Sequence, residues 1–237
     1  MSNDPDRILY ISNRVRALLQ LALPQHCALC AARAGGRLVC AQCDARLPRP
    51  GPACPVCALP TPEGSACGRC TRRAPPFAAT RAAFLYAFPV DRLLQALKYG
   101  GALAYAEFFA AALAERVDGT TDLVVPMPLA PARQRQRGFN QAQEIARRVA
   151  RMRGLPLAHA LARVRDTPAQ AGLRWRDRAR NVRGAFVARP DVAGRSVAIV
   201  DDVMTTGASV ASAAAALRRA GAARVEAWIA ARTLPPS

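Results

Sequence analysis

Apolar and polar positions divide the chain into three regimes. Up to Pro24, Ile8, Ile11, Val15, Leu18 and Leu19 recur near helical spacing with Arg14 and Arg16 turned elsewhere, which predicts one short helix over residues 1–24. Residues 25–76 follow neither the helical nor the strand period and are punctuated by cysteines. From Thr80 onward, short apolar runs alternate with amphipathic ones. Ala82–Phe88 reads as a strand, Val90–Tyr99 as a helix with Asp91 near its start, and Leu103–Val117 as a second helix. Leu123–Val125 has the character of a buried strand, stopped at Pro126-Met127-Pro128 because proline cannot donate to a ladder. Asn140–Arg153 predicts another helix, with Ala142, Ile145, Ala146 and Val149 on one face. Val197–Val200 and Val225–Ile229 add two strands, joined by an Ala-rich helix over residues 210–220. Strands alternating with helices predict an α/β domain over residues 77–237, a mainly parallel sheet covered on both faces. Ligands of such folds sit beyond the carboxyl ends of the strands.

The cysteines redefine the middle regime. All eight lie between positions 27 and 70 in four Cys-x-x-Cys pairs: Cys27/Cys30, Cys40/Cys43, Cys54/Cys57 and Cys67/Cys70. Nine residues separate the first two pairs, nine separate the last two, and the unit recurs with an offset of 27. This is an internal repeat of a four-thiolate unit, a pattern that predicts structural zinc, one ion or two. Catalytic zinc is disfavoured because no coordination position would stay open. Disulfides are disfavoured because no secretory signal precedes the repeat: the apolar stretch Ala17–Leu23 is short, is interrupted by Gln20 and lacks a small-residue cleavage pattern. Equal spacing favours consecutive pairs sharing a metal, although an interleaved scheme uses the same residues. A module of this size has little core and depends on its metal, at about 10 kcal/mol per structural zinc. It ends naturally at Arg72-Arg73-Ala74-Pro75-Pro76-Phe77.

Charge then narrows the partners. Lys and Arg number 34 against 16 Asp and Glu, a net charge of +18, which points to nucleic acid or phosphate. Lys98 is the only lysine, in Leu97-Lys98-Tyr99-Gly100-Gly101, where a compact cation beside a turn suits a phosphate or pyrophosphate. Arg133, Arg135 and Arg137 precede Gly138-Phe139-Asn140-Gln141 in a loop after the Leu123–Val125 strand, at the same edge of the predicted sheet. A long segment from Arg163 to Phe186 carries Gln170, Arg174, Trp175, Arg176, Arg178, Asn181 and Arg183 and reads as a flap. Trp175 within it suits either stacking on a base or latching the loop down. No apolar run approaches the roughly 18 residues that cross a bilayer.

The most informative stretch is Val197-Ala-Ile-Val-Asp201-Asp202-Val-Met-Thr205-Thr206-Gly207-Ala208-Ser209. A buried strand, a small-residue turn and a helix N-terminus converge free N–H groups and the positive end of the helix dipole into an anion site. Two carboxylates beside a phosphate cradle suit a ribose 5-phosphate. The stretch closely resembles the phosphoribosyl pyrophosphate (PRPP) loop of type I phosphoribosyltransferases. That resemblance implies that the paired acids bind the ribose hydroxyls and the turn holds the 5-phosphate.

With the cysteine repeat in front, the chain resembles the ComF family over nearly its full length. The likeness rests on the four Cys-x-x-Cys pairs, Leu97–Gly100, Pro126-Met127-Pro128 with Arg137–Gln141, Gln170–Asn181 and Asp201–Gly207. It implies an N-terminal helix (1–24), a double zinc ribbon (25–76) and a type I phosphoribosyltransferase-like α/β domain (77–237). It implies PRPP contacts from Asp201, Asp202, Thr205, Thr206, Gly207, Ala208 and Ser209. Lys98, Arg133, Arg137 and Gly138 would meet pyrophosphate, and Arg178 would lie in a flexible hood. Magnesium would accompany PRPP. The implied role is natural competence, the uptake or processing of single-stranded DNA, with DNA and DNA-translocation proteins as partners. The implied location is the cytoplasm or the inner face of the membrane. The alternative is an active phosphoribosyltransferase in nucleoside metabolism, serving nucleotide salvage or modification. No catalytic residue is assigned. Hypoxanthine-type relatives carry an acid where this chain has Thr205, orotate-type relatives have Thr, and neither His26 nor His159 lies in a segment predicted to face the site.

Overall fold

A computed structural model describes residues 26–100, 103–117, 119, 121–165 and 184–235. The helix expected over residues 1–24, and Arg178 with most of the expected hood, lie outside the described residues. The chain forms two compact units, Met1–Leu47 and Pro48–Ser237. The division falls between the two four-cysteine units, so the second of them belongs to the same body as the sheet.

The two cysteine units fold alike, as their 27-residue offset requires. In the first, the Cys27 amide donates to Ala32 O (2.7 Å) and the Ala31 amide to Cys27 O (2.9 Å). In the second, Cys54 donates to Leu59 O and Ala58 to Cys54 O, each at 2.8 Å. Both turns close through an alanine in the left-handed region, Ala31 at φ 58° and Ala58 at φ 54°. A helical turn then carries the last cysteine of each unit, Ala41–Ala45 holding Cys43 after Cys40 and Gly68–Arg72 holding Cys70 after Cys67.

The rest of the larger unit is built on four parallel strands, β1 (Ala79–Leu85), β2 (Leu123–Pro126), β5 (Ser196–Met204) and β6 (Arg224–Arg232), in the order β1-β6-β5-β2. Strands β3 (Leu161–Arg163) and β4 (Phe186–Ala188) make a separate antiparallel ribbon. Helices α1 (Val90–Gly100), α2 (Leu103–Ala114), α3 (Pro131–Arg137), α4 (Gln141–Arg153) and α5 (Ala208–Arg219) connect them. The all-parallel sheet is the α/β architecture expected from the alternation of strand and helix patterns.

Residues of β5 alternate between two apolar layers. Val197 and Ile199 join a buried cluster with Phe77, Leu161, Phe186, Val210 and Leu217, which packs α5 and the β3–β4 ribbon on one face. Elsewhere in the core, Phe84 of β1 stacks on Phe108 of α2 at 5.6 Å and meets Phe109 edge-on at 5.9 Å. Glu226 is fully buried within β6, where it accepts from Arg224 (2.8 Å) and from Trp228 Nε1 (3.4 Å).

Several boundaries differ from the sequence pattern, among them the end of α2, at Ala114 rather than Val117, and the end of β6, at Arg232 rather than Ile229. Strand β1 runs from residue 79 to 85 rather than 82 to 88, because its register with β6 begins at Ala79↔Glu226 and ends at Leu85↔Arg232. Strand β5 continues four residues past Val200, since β6 is long enough to pair with it as far as Met204↔Arg232. The acids Asp201 and Asp202 therefore lie on the strand itself. The arginine segment expected as a loop is helix α3, started by Pro131 in its first turn and ended by Gly138 at φ 74°.

Candidate functional site

The carboxyl ends of β2 and β5 open onto a cavity of about 420 Å³ lined by Lys98, Arg133, Arg137, Arg163, Asp201, Asp202, Thr205 and Ser209, with Tyr86, Phe186 and Thr233 among its other walls. Each side chain has a structural cause. Strand β5 carries both acids to the sheet edge, where Asp201 Oδ1 accepts from the Asp202 amide (2.9 Å) and Asp202 Oδ1 from the Val203 amide (2.8 Å). Gly207 adopts φ 81° as the N-cap of α5, and Thr206 Oγ1 accepts from the Ala208 amide at 3.1 Å. Asn140 caps α4 by accepting from the Ala142 amide (3.0 Å) and pins the β2 end by donating to Met127 O (2.9 Å). That anchor fixes the strand next to α3, which delivers Arg133 and Arg137. Arg137 also donates to Gln141 Oε1 (3.2 Å) and lies 5.5 Å from the centre of the Tyr99 ring.

The two acids are electrically unequal. Lys98 Nζ, carried by the last turn of α1, sits 2.8 Å from Asp202 Oδ2. Burial is the largest influence and pushes Asp202 upward, but the Lys98 charge and the hydrogen bonds from Lys98, Asp201 and the Val203 amide together outweigh it and hold the carboxyl below its ordinary value. Asp201 is driven well above that value by burial first and by the Asp202 charge second. Lys98 loses to burial and regains more from Asp202, ending above an ordinary lysine. Among the described residues the site thus presents one carboxyl held below its ordinary value, one raised well above it, and four cations, Lys98, Arg133, Arg137 and Arg163, on its walls.

The sequence-derived residues divide between two cavities. Asp201, Asp202, Thr205, Ser209, Lys98, Arg133 and Arg137 share the first. Thr206, Gly207 and Ala208 instead line a second cavity of about 750 Å³ on the other side of the loop, with Cys57, Cys70, Arg69 and Phe77 among its walls. Gly138 lines neither and serves as the C-cap of α3. Lys98, expected beside a turn as a pyrophosphate contact, stands in the last turn of α1 and pairs with Asp202. Sequence reasoning missed Tyr86, Thr233 and above all Arg232, a buried arginine that follows the apolar run Ala227–Ala231 of β6. Arginine closing the run Trp228-Ile-Ala-Ala231 was the signal available.

The cysteines form two metal-competent clusters, Cys27, Cys30, Cys40, Cys43 and Cys54, Cys57, Cys67, Cys70, with the sulfurs of each within 4.8 Å of one another. Consecutive pairs therefore share a site, and the interleaved scheme is excluded. A tetrahedron of Zn–S bonds of about 2.3 Å has edges of about 3.8 Å. Cys30 and Cys40 Sγ are 3.8 Å apart, and Cys57 and Cys67 Sγ are 3.7 Å apart. Both distances suit zinc and are far too long for a disulfide. Burial raises Cys27 and Cys54, but amides outweigh it, chiefly that of Cys40 for the first and Cys67 for the second, and bring each thiol to about 6. One thiolate is thus ready in each cluster. These are two zinc sites, each built from four cysteines.

Comparison with known proteins agrees with this architecture. A model described as "Double zinc ribbon domain" matches residues 18–71, and one described as "Phosphoribosyl transferase domain" matches residues 108–233. DNA utilization protein YhgH of Salmonella typhimurium is 35% identical over 83% of this chain and 91% of that protein. The protein of the same name from Escherichia coli strain K12 gives the same figures, 35%, 83% and 91%. Competence protein F of Haemophilus influenzae is 30% identical over 68% of this chain and 76% of that one. Among solved structures, glutamine PRPP amidotransferase from B. subtilis, complexed with ADP and GMP, is 24% identical. It aligns over 53% of this chain and 26% of that chain with a TM-score of 0.39, too slight a likeness to carry an argument. No described helix is long and apolar enough to cross a membrane.

Proposed function

The chain belongs to the ComF family, in which a double zinc ribbon precedes a phosphoribosyltransferase domain, and from that premise we propose that it handles single-stranded DNA in competence or DNA utilization through a site that binds PRPP with Mg²⁺. The observation that carries the reading is the meeting of Asp201, Asp202 and Thr205 with Lys98, Arg133, Arg137 and Arg163 around one cavity of about 420 Å³. Paired acids suit ribose hydroxyls, the turn before α5 suits a 5-phosphate, and the arginines suit a pyrophosphate. Magnesium, which keeps most of its water and binds phosphate oxygens, would bridge pyrophosphate and ribose with few protein ligands. The net charge of +18 supports a polyanionic partner. DNA-translocation proteins are further partners in this reading, which places the protein in the cytoplasm or at the inner face of the membrane.

Calorimetric titration with Mg-PRPP tests the site. The wild-type protein should bind and the Asp201→Ala, Asp202→Ala double variant should not; equal heats from both would remove the assignment. Affinity for single-stranded DNA should fall steeply with salt as phosphate counterions compete. A flat response would remove the electrostatic part of the reading.

A second reading, phosphoribosyl transfer, is favoured by Phe186 and Arg163, which share the cavity with the acids and stack at 5.7 Å. An acceptor held there would bond to C1 of the ribose as the C1–O bond to pyrophosphate breaks. Catalysis would come from positioning and charge stabilisation. Incubation with Mg-PRPP and single-stranded DNA separates the two, because only transfer releases pyrophosphate.

A further inference from the structure

Arg232 ends β6 with its guanidinium fully buried, and it meets carbonyl oxygens rather than a carboxylate. Its Nε donates to Cys57 O at 2.8 Å. Its Nη1 shares its protons among Met204 O (2.8 Å), Thr233 O (2.7 Å) and Thr205 O. One side chain therefore bonds a ligand residue of the second zinc site and the two residues at which β5 becomes the phosphate loop. We propose that Arg232 is a positioning residue that makes the shape of the loop at Met204–Gly207 depend on zinc at Cys54, Cys57, Cys67 and Cys70. For PRPP itself the inference rests on the proposed reading of that loop.

The physical case begins with accounting for carbonyls. Met204 O still accepts from the Thr233 amide (3.0 Å), but Cys57 O, Thr205 O and Thr233 O lie beyond the ladder, and each such carbonyl costs about 1–3 kcal/mol if it stays buried and unpaired. Only arginine offers several donors in a rigid planar fork, so one residue can serve carbonyls on three segments. The register Met204↔Arg232 sets the guanidinium beside the β5 end. The same knuckle is gripped a second time from β1: Thr80 Oγ1 donates to Val56 O (2.7 Å) and the Thr80 amide to Pro55 O (3.1 Å). Three consecutive knuckle carbonyls, from Pro55 to Cys57, are thus tied to strand residues. Val56 also packs against the apolar cluster that contains Met204 and Val210.

Zinc decides whether this tie holds. With the metal, four thiolates fix the turn Cys54–Cys57 and so fix the Cys57 carbonyl. Without it the thiols have no common partner, the turn relaxes, and the fork loses the bond that orients it toward Met204 and Thr205. The first cluster lies in the other compact unit and serves as the internal control. Because such coupling is reciprocal, a ligand that stabilises the loop must also slow zinc loss from the second site, with coupling factors typically about 5–150-fold.

The test uses the full-length, zinc-loaded protein with three readouts: zinc release to a chromogenic chelator, amide exchange over residues 203–207, and Mg-PRPP calorimetry. Cys70→Ser should lose one zinc and speed exchange in the loop, whereas Cys43→Ser should lose one zinc and leave the loop as in wild type. Arg232→Gln should keep both zincs yet exchange faster at the loop, and Mg-PRPP should no longer slow zinc release. Arg232→Lys, which keeps the charge without the fork, should fall between. Unchanged loop exchange in Cys70→Ser, or in Arg232→Gln with both zincs bound, overturns the inference. If Arg232→Gln loses its circular dichroism, Arg232→Lys and Thr80→Val decide by the same exchange readout. Wild-type protein that shows zinc-dependent loop exchange but no Mg-PRPP heat would sink the PRPP reading and leave the coupling standing.

Discussion

Replacing Lys98 by methionine keeps the buried stem and removes the cation that faces Asp202. The pair is 2.8 Å apart with side chains only 18% and 17% exposed, so solvent screens it weakly. At an effective dielectric constant of about 20, Coulomb's law gives about 6 kcal/mol of attraction at that distance, much of it offset by desolvation. Breaking such a pair usually costs about 3–5 kcal/mol. Protonation sets a ceiling: taking Asp202 from an unfolded value near 3.9 to neutral at pH 7 costs about 4 kcal/mol. The expected loss at pH 7 is therefore about 3 kcal/mol, softened by the proton that Asp201 readily holds. The sign follows from both partners. Asp202 is depressed in the folded state, so its contribution is present above about pH 3.9 and is lost as pH falls through the folded value. Lys98 is raised, so its contribution is present below about pH 10.4 and is lost as pH rises through its folded value. Urea unfolding of both proteins from pH 3.5 to 9 should show a difference that grows as pH rises above about 3.9, because the uncompensated buried Asp202 becomes costlier to keep neutral, and that is smallest at the acid end. A difference that is constant down to pH 3.5 would mean that the stem's packing was lost rather than the ion pair.

Four further substitutions probe other parts of the molecule. Asp201→Asn should raise stability by about 0.5–2 kcal/mol at pH 7 while abolishing Mg-PRPP binding. Because the Asp201 pKa is raised by burial, its penalty grows above about pH 3.9, so thermal melts at pH 4 should show little of that gain. Gly207→Ala forces a side chain onto φ 81° and sets its Cβ 2.7 Å from Met204 Cε. It should cost about 1–2 kcal/mol and weaken Mg-PRPP binding at least about tenfold by calorimetry, and wild-type affinity would show that the loop geometry is not needed. Ala31→Gly and Ala58→Gly relieve left-handed strain in the two knuckles. Each should slow zinc release to a chelator, a gain of about 0.5–1 kcal/mol after the glycine's entropic cost.

Local chemistry made part of this molecule readable. Cys-x-x-Cys spacing announces a metal because two thiols on one turn can only converge, and Val197–Ser209 announces an anion site because strand, turn and helix are consecutive in the chain. Proline and glycine at positions 131 and 138 bracketed a helix that the density of arginines concealed. The cysteine spacing left the pairing of knuckles open, and only the clustering of sulfurs within 4.8 Å settled it. Tertiary structure alone set Lys98 against Asp202, since the two belong to elements about a hundred residues apart whose meeting depends on how α1 packs at the sheet end. It alone put Thr206 and Ala208 on a different cavity from Thr205, because side chains on a tight turn diverge within a residue. Arg232 shows the limit most clearly. Its sequence neighbours call for a buried apolar residue, and its purpose lies in carbonyls at Cys57, Met204 and Thr205 that come within reach only when three strand and knuckle ends meet. Sequence period reports which face of an element is buried; which distant polar groups that burial strands, and what must pair with them, is decided by packing.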